Sequence, residues 1–426
     1  MSKKSTVIAN KPGKEILDIQ GLSEIELRKQ LRQHQIELNF LLEITQAINS
    51  NFSTSSLFEI YEYILTSKIG VKKLAVFIKN EKWEPVCSNG IDKKELKKIN
   101  IEKDIIDFKE ITSLEDLNNP NLRGFELVVP VYHKDIPLGY VLLGSTSETE
   151  GHIFSDIRFI QTISNIICVA VENKKFVREQ IQQDVLKKEL ELGAQMQTML
   201  FPNQLPKNEY LEMQATYFPH NDIGGDYYDF IQINDEEIVF CIADVSGKGF
   251  AAGLIMASLQ ANLHTLLIQT QELTELVPIL NTRVLETAKR EKFITLFIAK
   301  YNVKTRILKY LNAGHNPPVL YRDKGIEQLQ EGCTILGMFD DLPKISEGTI
   351  KVDGEAVLVC YTDGLVEVEN DKKEAYQLDR LSEFIMKYAY SEIEVFHERL
   401  WEKVNQYKEE QPFTDDVTVL SCRIFA

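Results

Sequence analysis

The chain reads as an α/β (α+β) protein: two mixed domains joined by a helical linker. Short apolar runs of strand length alternate with helical periodicity in both halves of the sequence. A charged, largely glycine-free stretch from Asn173 to Met199 separates those halves. At about 150 residues per domain, the 426 residues leave room for two or three cores.

The first 24 residues contain lysines but no continuous apolar run of signal-peptide length, so a disordered tail in a cytoplasmic protein is expected there. Helical periodicity follows from Ile25 to Ile48 through Leu27, Leu31, Leu38 and Leu41. Strands are expected at Val71–Ile78, Phe125–Tyr132 and Pro137–Gly144, the last two forming a hairpin across His133 to Ile136. A helix from about Phe154 then carries Ile157, Ile160, Ile163, Ile167 and Val171. This order, with its GYVLLG strand and closing helix, resembles a GAF domain, and residues 25–172 are assigned to it. No ligand signature accompanies the pattern, so the ligand of this sensor is unknown. Cys87, on an expected strand, reads as an ordinary small hydrophobe.

Residues 173–207 form the linker. Val177, Ile181, Val185, Leu192, Met196 and Met199 make a narrow stripe of the coiled-coil kind, interrupted at Lys188, which points to a parallel homodimer. A single amphipathic helix packed on the following domain fits the same stripe. Phe201-Pro202 and Leu205-Pro206 stop the helix and place the start of the C-terminal domain, 208–426, at Asn208.

That domain presents four aspartates where strand patterns meet turns. They are Asp226 in GGDYYDF, Asp244 in IADVSGKG, Asp363 in YTDGLVE and Asp415 in TDDVTVL. The runs Tyr227–Ile233 and Glu237–Ala243, broken by Asn234 to Glu236, are expected to pair as a hairpin and bring Asp226 and Asp244 to neighbouring strands. Ala356–Tyr361 and Val417–Ile424 supply two more strand ends. The helix of Ala251–Leu267 is expected to bury Leu254, Met256, Ala257, Ala261 and Leu266. Grouped carboxylates need counter-charge, and hard divalent cations take oxygen ligands without histidine or cysteine. Two such ions about 3.5–4 Å apart activate water for attack on a phosphate ester. No GxSxG elbow, no CxxC pair and no P-loop offers a competing chemistry.

From Leu190 onward, GGDYYDF, DVSGKG, NAGHNPP, TDGLVE and TDDVTVL together resemble the PPM-type metal-dependent serine/threonine phosphatases. The branch resembled is the bacterial one that includes the stage II sporulation phosphatase and the partner-switching phosphatases of sigma-factor control. The resemblance implies a β-sandwich flanked by helices and a site with two Mn2+ or Mg2+ ions. Their ligands would be Asp226, Asp244, the carbonyl of Val245, Asp363 and Asp415, with Asp416 as the competing choice for the last. Gly225, Asp229, Gly247, His315, Gly364 and Asp416 are secondary candidates, His315 chiefly as a hydrogen-bonding residue of its Gly-Pro turn. The implied substrate is a phosphorylated regulatory protein of the anti-sigma-factor-antagonist kind. Animal-type members place an arginine shortly before the first aspartate; here Thr216 to Gly225 hold neither arginine nor lysine. The alternative reading is a degenerate phosphatase fold that only docks a partner.

Composition narrows the partners. A net charge of −16 without a long basic stripe argues against nucleic acid and anionic membrane. No segment reaches about 18 uninterrupted apolar residues. Six cysteines scattered without metal spacing fit reduced core thiols.

Overall fold

The computed structural model describes residues 24–115, 117–144 and 152–425, except for the side chains of 152–156. The expected N-terminal tail therefore lies outside the described residues apart from Glu24, which opens the first helix. The chain divides into two compact units, one ending at Gln183 and the other beginning at Asp184.

In the first unit, helix α1 (Glu24–Asn49) is followed by α2 (Thr54–Tyr63), whose N-terminus is capped by the Ser53 hydroxyl accepting from the Ser56 N–H. Then come β1 (Lys73–Lys79), β2 (Trp83–Asn89), the single turns α3 (Lys93–Leu96) and α4 (Ile101–Asp104), β3 (Thr112–Ser113), β4 (Leu127–His133) and β5 (Ile136–Gly144). The strands make one antiparallel sheet in the order β2-β1-β5-β4-β3. The β4–β5 hairpin turns through Lys134 in a left-handed conformation. Side-chain alternation gives this sheet two buried faces. Leu74, Val76, Val129 and Val141 pack against Tyr61, Ile160, Ile163 and Ile167 of the helices, whereas Phe77, Val128, Tyr140 and Leu142 pack against Leu96 and Ile101. The expected strand of Cys87 is β2, and a register shift at Val76/Phe77 interrupts its pairing with β1 next to Pro85.

Helix α5 is continuous from His152 to Thr198. The helix expected from about Phe154 and the helical linker of 173–207 are thus one element up to Thr198. The stripe at Val177, Ile181, Val185, Leu192, Met196 and Met199 is exposed in the single chain.

The second unit is a two-sheet sandwich built from β6 (Leu211–Phe218), β7 (Tyr227–Gln232), β8 (Glu237–Val245), α6 (Phe250–Gln269), α7 (Leu273–Ala288), β9 (Ile294–Asn302), β10 (Ile307–Ala313), β11 (Val319–Arg322), β12 (Gly325–Gln328), β13 (Gly332–Cys333), β14 (Gly348–Lys351), β15 (Ala356–Tyr361), α8 (Asp363–Val366), α9 (Gln377–Tyr388), α10 (Ile393–Lys408) and β16 (Val417–Ile424). One sheet runs β13-β10-β9-β8-β7 with β14 against β10; the other runs β12-β11-β15-β16-β6. Ile238, Phe240 and Ile242 of β8 meet Leu358, Cys360 and Leu420 between the sheets. The alternate residues Val239, Cys241 and Ala243 face α6 and α7, while Val357, Val359 and Tyr361 face α9 and α10. Both central strands are thus buried on two faces, and so read as continuous apolar runs.

Helix α6 corrects one expectation. Leu254 is 62% exposed, Ala261 is exposed and Ala257 half-buried; Ala252, Ile255, Met256, Leu259, Leu263, Leu266 and Leu267 are the buried residues. The exposed side of the helix also carries apolar residues such as Leu254 and Ile268, so the apolar pattern alone does not fix its rotation. Gly253 does: a Cβ there would come within 2.3 Å of Ile223, and that close approach turns Ala252 and Met256 inward. α6 is the one helix among the described residues long and apolar enough to cross a membrane; here its buried residues belong to the core of its own unit.

Candidate functional site

Strand register carries the aspartates together. β7 and β8 pair as the expected hairpin, with Tyr227 opposite Ala243, so Asp226 lies just beyond the paired end near Asp244. Asp244 pairs across with Thr295 of β9. On the second sheet, β15 ends at Tyr361 and is paired with Val419, so Thr362 and Asp363 leave the sheet beside Asp416 and Val417. Gly364 makes this approach possible, since a Cβ there would stand 2.0 Å from the carbonyl oxygen of Asp416.

The carboxylates at 226, 244, 363 and 415 share one field. Asp226 is 1% exposed and its carboxyl is pushed well up, first by burial and then by the charge of Asp244. Two hydroxyls oppose that shift: Thr418 Oγ1 donates to Asp226 Oδ2 at 2.5 Å and Thr362 Oγ1 to the same oxygen at 2.8 Å. The Thr362 hydroxyl in turn accepts from the Thr418 N–H at 2.9 Å. Asp244 is raised to about 7 by burial and then by Asp363, Asp415 and Asp416, with a hydrogen bond to Asp226 working the other way. Asp363 is raised by burial and by Asp415, against the Gly364 N–H and Lys248. Glu367, one turn on, is raised by burial and by Asp363 and Asp415.

Asp415 and Asp416 differ sharply. The side chain of Asp415 is 37% exposed and pairs with the Lys248 ammonium at 3.0 Å; Lys248 also donates to the Thr414 carbonyl. Asp416 is buried, with Oδ1 accepting from the His220 N–H at 2.7 Å and Oδ2 from the Gly225 N–H at 2.6 Å. Just ahead, Gln197 at the end of α5 brackets Gly224, donating to its carbonyl at 2.7 Å and accepting from its N–H at 3.2 Å.

His315 is buried against the same region. Its Nδ1 shares a hydrogen bond with Thr295 Oγ1 at 2.8 Å, and its N–H donates to Asn312 Oδ1 at 2.7 Å. Burial pulls the imidazole down to about 4, against the Tyr361 main chain, which favours its charged form. Asp229 is placed apart. Its oxygens take the Tyr227 hydroxyl, the Phe230 N–H at 2.8 Å and His264 Nε2 at 2.6 Å, which ties β7 to α6 and joins none of the cluster's aspartates.

Among the described residues, no three Asp, Glu, His or Cys side chains already close into a cage for an ion. The donor set nevertheless fits a hard divalent cation. It is all oxygen and largely buried, and the charges of neighbouring aspartates raise Asp226, Asp244 and Asp363, which is the signature of negative charge lacking a counter-ion. Sequence reasoning missed Thr362, Thr418, Gln197 and Thr295. The first two adjoin motif aspartates, a signal that was available; the others become visible only through register.

Residues 234–425 match the family model of Stage II sporulation protein E (SpoIIE). Among curated proteins, the chain is 31% identical over 207 residues to the phosphoserine phosphatase RsbU of Bacillus subtilis, covering 48% of this chain and 61% of RsbU. It is 25% identical over 186 residues to the phosphoserine phosphatase RsbP of the same organism, covering 42% of this chain and 46% of RsbP. The chain thus spans less than two thirds of the length of either relative. Among solved structures, the SiaA-PP2C domain of Pseudomonas aeruginosa superposes with a TM-score of 0.52 at 14% identity, over 57% of this chain and 98% of that domain. The family match begins after Asp226, so the place of that residue rests on the geometry above. The C-terminal unit is thus similar to SpoIIE/PP2C-type phosphatase domains, those of RsbU and RsbP among them.

Proposed function

We propose that this protein is a cytoplasmic metal-dependent phosphatase that removes phosphate from serine or threonine of a regulatory protein. The observation that carries the reading is Asp244, held at about 7 by burial and by three further aspartates from distant parts of the chain. Uncompensated carboxylates cost stability, and a fold that gathers them has a use for a cation there. Asp226, Asp244, the Val245 carbonyl, Asp363 and Asp415 are the proposed ligands of two Mg2+ or Mn2+ ions. Bound there, such ions supply an activated water and neutralise phosphate oxygens. The protein's own part is positional: Thr362 and Thr418 aim the Asp226 carboxylate, and Asp416 and Gln197 fix the Gly224-Gly225 backbone in front of it. The names of RsbU and RsbP support serine as the dephosphorylated residue. The first unit, with its antiparallel sheet and flanking helices, is proposed as a GAF-like sensor. The exposed stripe of α5 is proposed as a homodimer seam.

The test is hydrolysis of a phosphoserine peptide by the full chain with Mn2+ or Mg2+, wild type against Asp244→Asn. The variant is expected to lose at least about a hundredfold in rate, the scale seen when groups orienting a metal centre are removed. Equal rates would discard the reading, and a wild type without turnover would favour the docking module.

A further inference from the structure

We propose that Lys292 is the side chain that grips the phosphoryl group of the substrate, in place of the basic residue that Thr216 to Gly225 lack. The inference rests on the phosphatase reading of the neighbouring aspartates. Lys292 stands two residues before β9, on a backbone held from both sides. The Phe293 N–H donates to Ser246 Oγ and the Ser246 N–H to the Phe293 carbonyl, both at 2.9 Å. Ile294 and Leu336 exchange two hydrogen bonds, each of 2.9 Å, and Gly337 is tight enough that a Cβ would lie 3.1 Å from the Lys292 carbonyl. This mount places the ammonium directly over the turn that follows Asp244. A Cβ on Gly247 would meet Lys292 Nζ at 2.0 Å, and Gly247 has a φ of +87°. Glycine at 247 therefore serves two ends, the left-handed turn and the space the ammonium occupies.

The second observation is what Lys292 lacks. Its side chain is half-buried, yet among the described residues no carboxylate pairs with it and no hydrogen bond holds it. Its neighbour Lys248 is different, because its charge is committed to Asp415 and to the Thr414 carbonyl. An ammonium that no carboxylate neutralises keeps its charge free for an anion arriving from solvent. A phosphoryl dianion approaching the cluster meets the field of Asp244 and Asp363, so a cation on its flank has a clear electrostatic purpose. Lysine acts on phosphate as a point charge on a flexible stem, which suits a rigid backbone with a mobile head.

The experiment is calorimetric titration of inorganic phosphate into the full chain with saturating Mg2+, comparing wild type, Lys292→Gln, Lys292→Arg and Lys351→Gln. Lys351, paired with Asp353 at 3.0 Å, serves as the solvent-lysine control. Loss of one charge-assisted contact is expected to weaken phosphate by about tenfold in Lys292→Gln, with Lys292→Arg close to wild type and Lys351→Gln unchanged. On a phosphoserine peptide, the same loss is expected in KM rather than kcat. Unchanged phosphate affinity in Lys292→Gln, an equal loss in Lys351→Gln, or no phosphate binding by the wild type each overturns the proposal. Wild-type hydrolysis with unchanged Lys292→Gln affinity removes Lys292 and leaves the phosphatase standing. Weakened phosphate binding without turnover supports the anion site and removes the phosphatase.

Discussion

Asp416 accepts the Gly225 N–H at 2.6 Å across a sequence separation of 191 residues, so a carboxylate at the start of the last strand fixes the backbone in front of the first site aspartate. Its other oxygen takes the His220 N–H at 2.7 Å. With both oxygens engaged by main chain, Asp416 closes the loop from His220 to Gly225, and its neighbour Asp415 is the one left facing Lys248 and Asp363. Asp416→Ala leaves two N–H groups without a partner and is expected to cost about 2–4 kcal/mol. Chemical denaturation checks it; a loss below about 1 kcal/mol, the level of a surface change, would contradict the role.

Thr418 and Thr362 both donate to Asp226 Oδ2. Thr418→Val keeps the shape and removes one donor, which pushes the Asp226 carboxyl higher still. Half-maximal activity is then expected to need several times more Mn2+, roughly the effect of losing a neutral hydrogen bond to a ligand. A metal titration of activity that superposes on wild type would refute this.

Without a divalent cation, stability is expected to fall as pH rises. Asp244 titrates at about 7 in the native state, against about 4 for an ordinary carboxyl. Asp226 and Asp363 shift the same way. Between those limits the folded chain binds more protons than the unfolded chain, so the unfolding free energy declines through the window and levels off above it. In chelator, Tm is expected to be lower at pH 8 than at pH 5.5, and added Mg2+ to raise it more at pH 8. Asp244→Asn flattens the slope. A Tm that climbs with pH in chelator would count against the cluster being uncompensated.

His315 stays neutral at working pH because burial holds it near 4. It therefore acts through Thr295, which sits opposite Asp244 on the adjoining strand. His315→Leu strands the Thr295 hydroxyl and is expected to destabilise by about 1–3 kcal/mol. The pH–rate profile should keep its wild-type midpoints; a shift in them would make His315 a titrating participant.

Gln197 ties the end of α5 to Gly224 through both ends of its amide. Gln197→Leu keeps the bulk and loses both bonds. Amide hydrogen exchange at Gly224 is expected to accelerate with little change in the core strands, because the loss is local. Unaltered exchange would show that the clamp is not formed in solution.

The strands beside the aspartates could be read from the sequence because β8 and β15 are apolar runs that stop at a carboxylate followed by a glycine, while β7 and β16 begin directly after one. Ala356–Tyr361 and Val417–Ile424 have the bounds expected for them. Other features were not local. Helix α6 keeps apolar residues such as Leu254 and Ile268 on its exposed side, and its buried side is the one where Gly253 comes close to Ile223. Asp229 sits in the same motif as Asp226, yet it turns to His264.

The sequence by itself determined the strands beside the four site aspartates, that oxygen ligands dominate the chemistry, and that two mixed domains flank a long helix, since those follow from periodicity, residue type and punctuation along the chain; β6 and β9 to β14 were not legible in it. Tertiary structure alone decided the division of labour between Asp415 and Asp416, the hydroxyl pair on Asp226, and the place of Lys292 over Gly247. Each depends on which residues face one another across paired strands and packed sheets. Partners separated by tens to hundreds of positions leave no trace in local pattern, and their energies exist only once the backbone has closed around them.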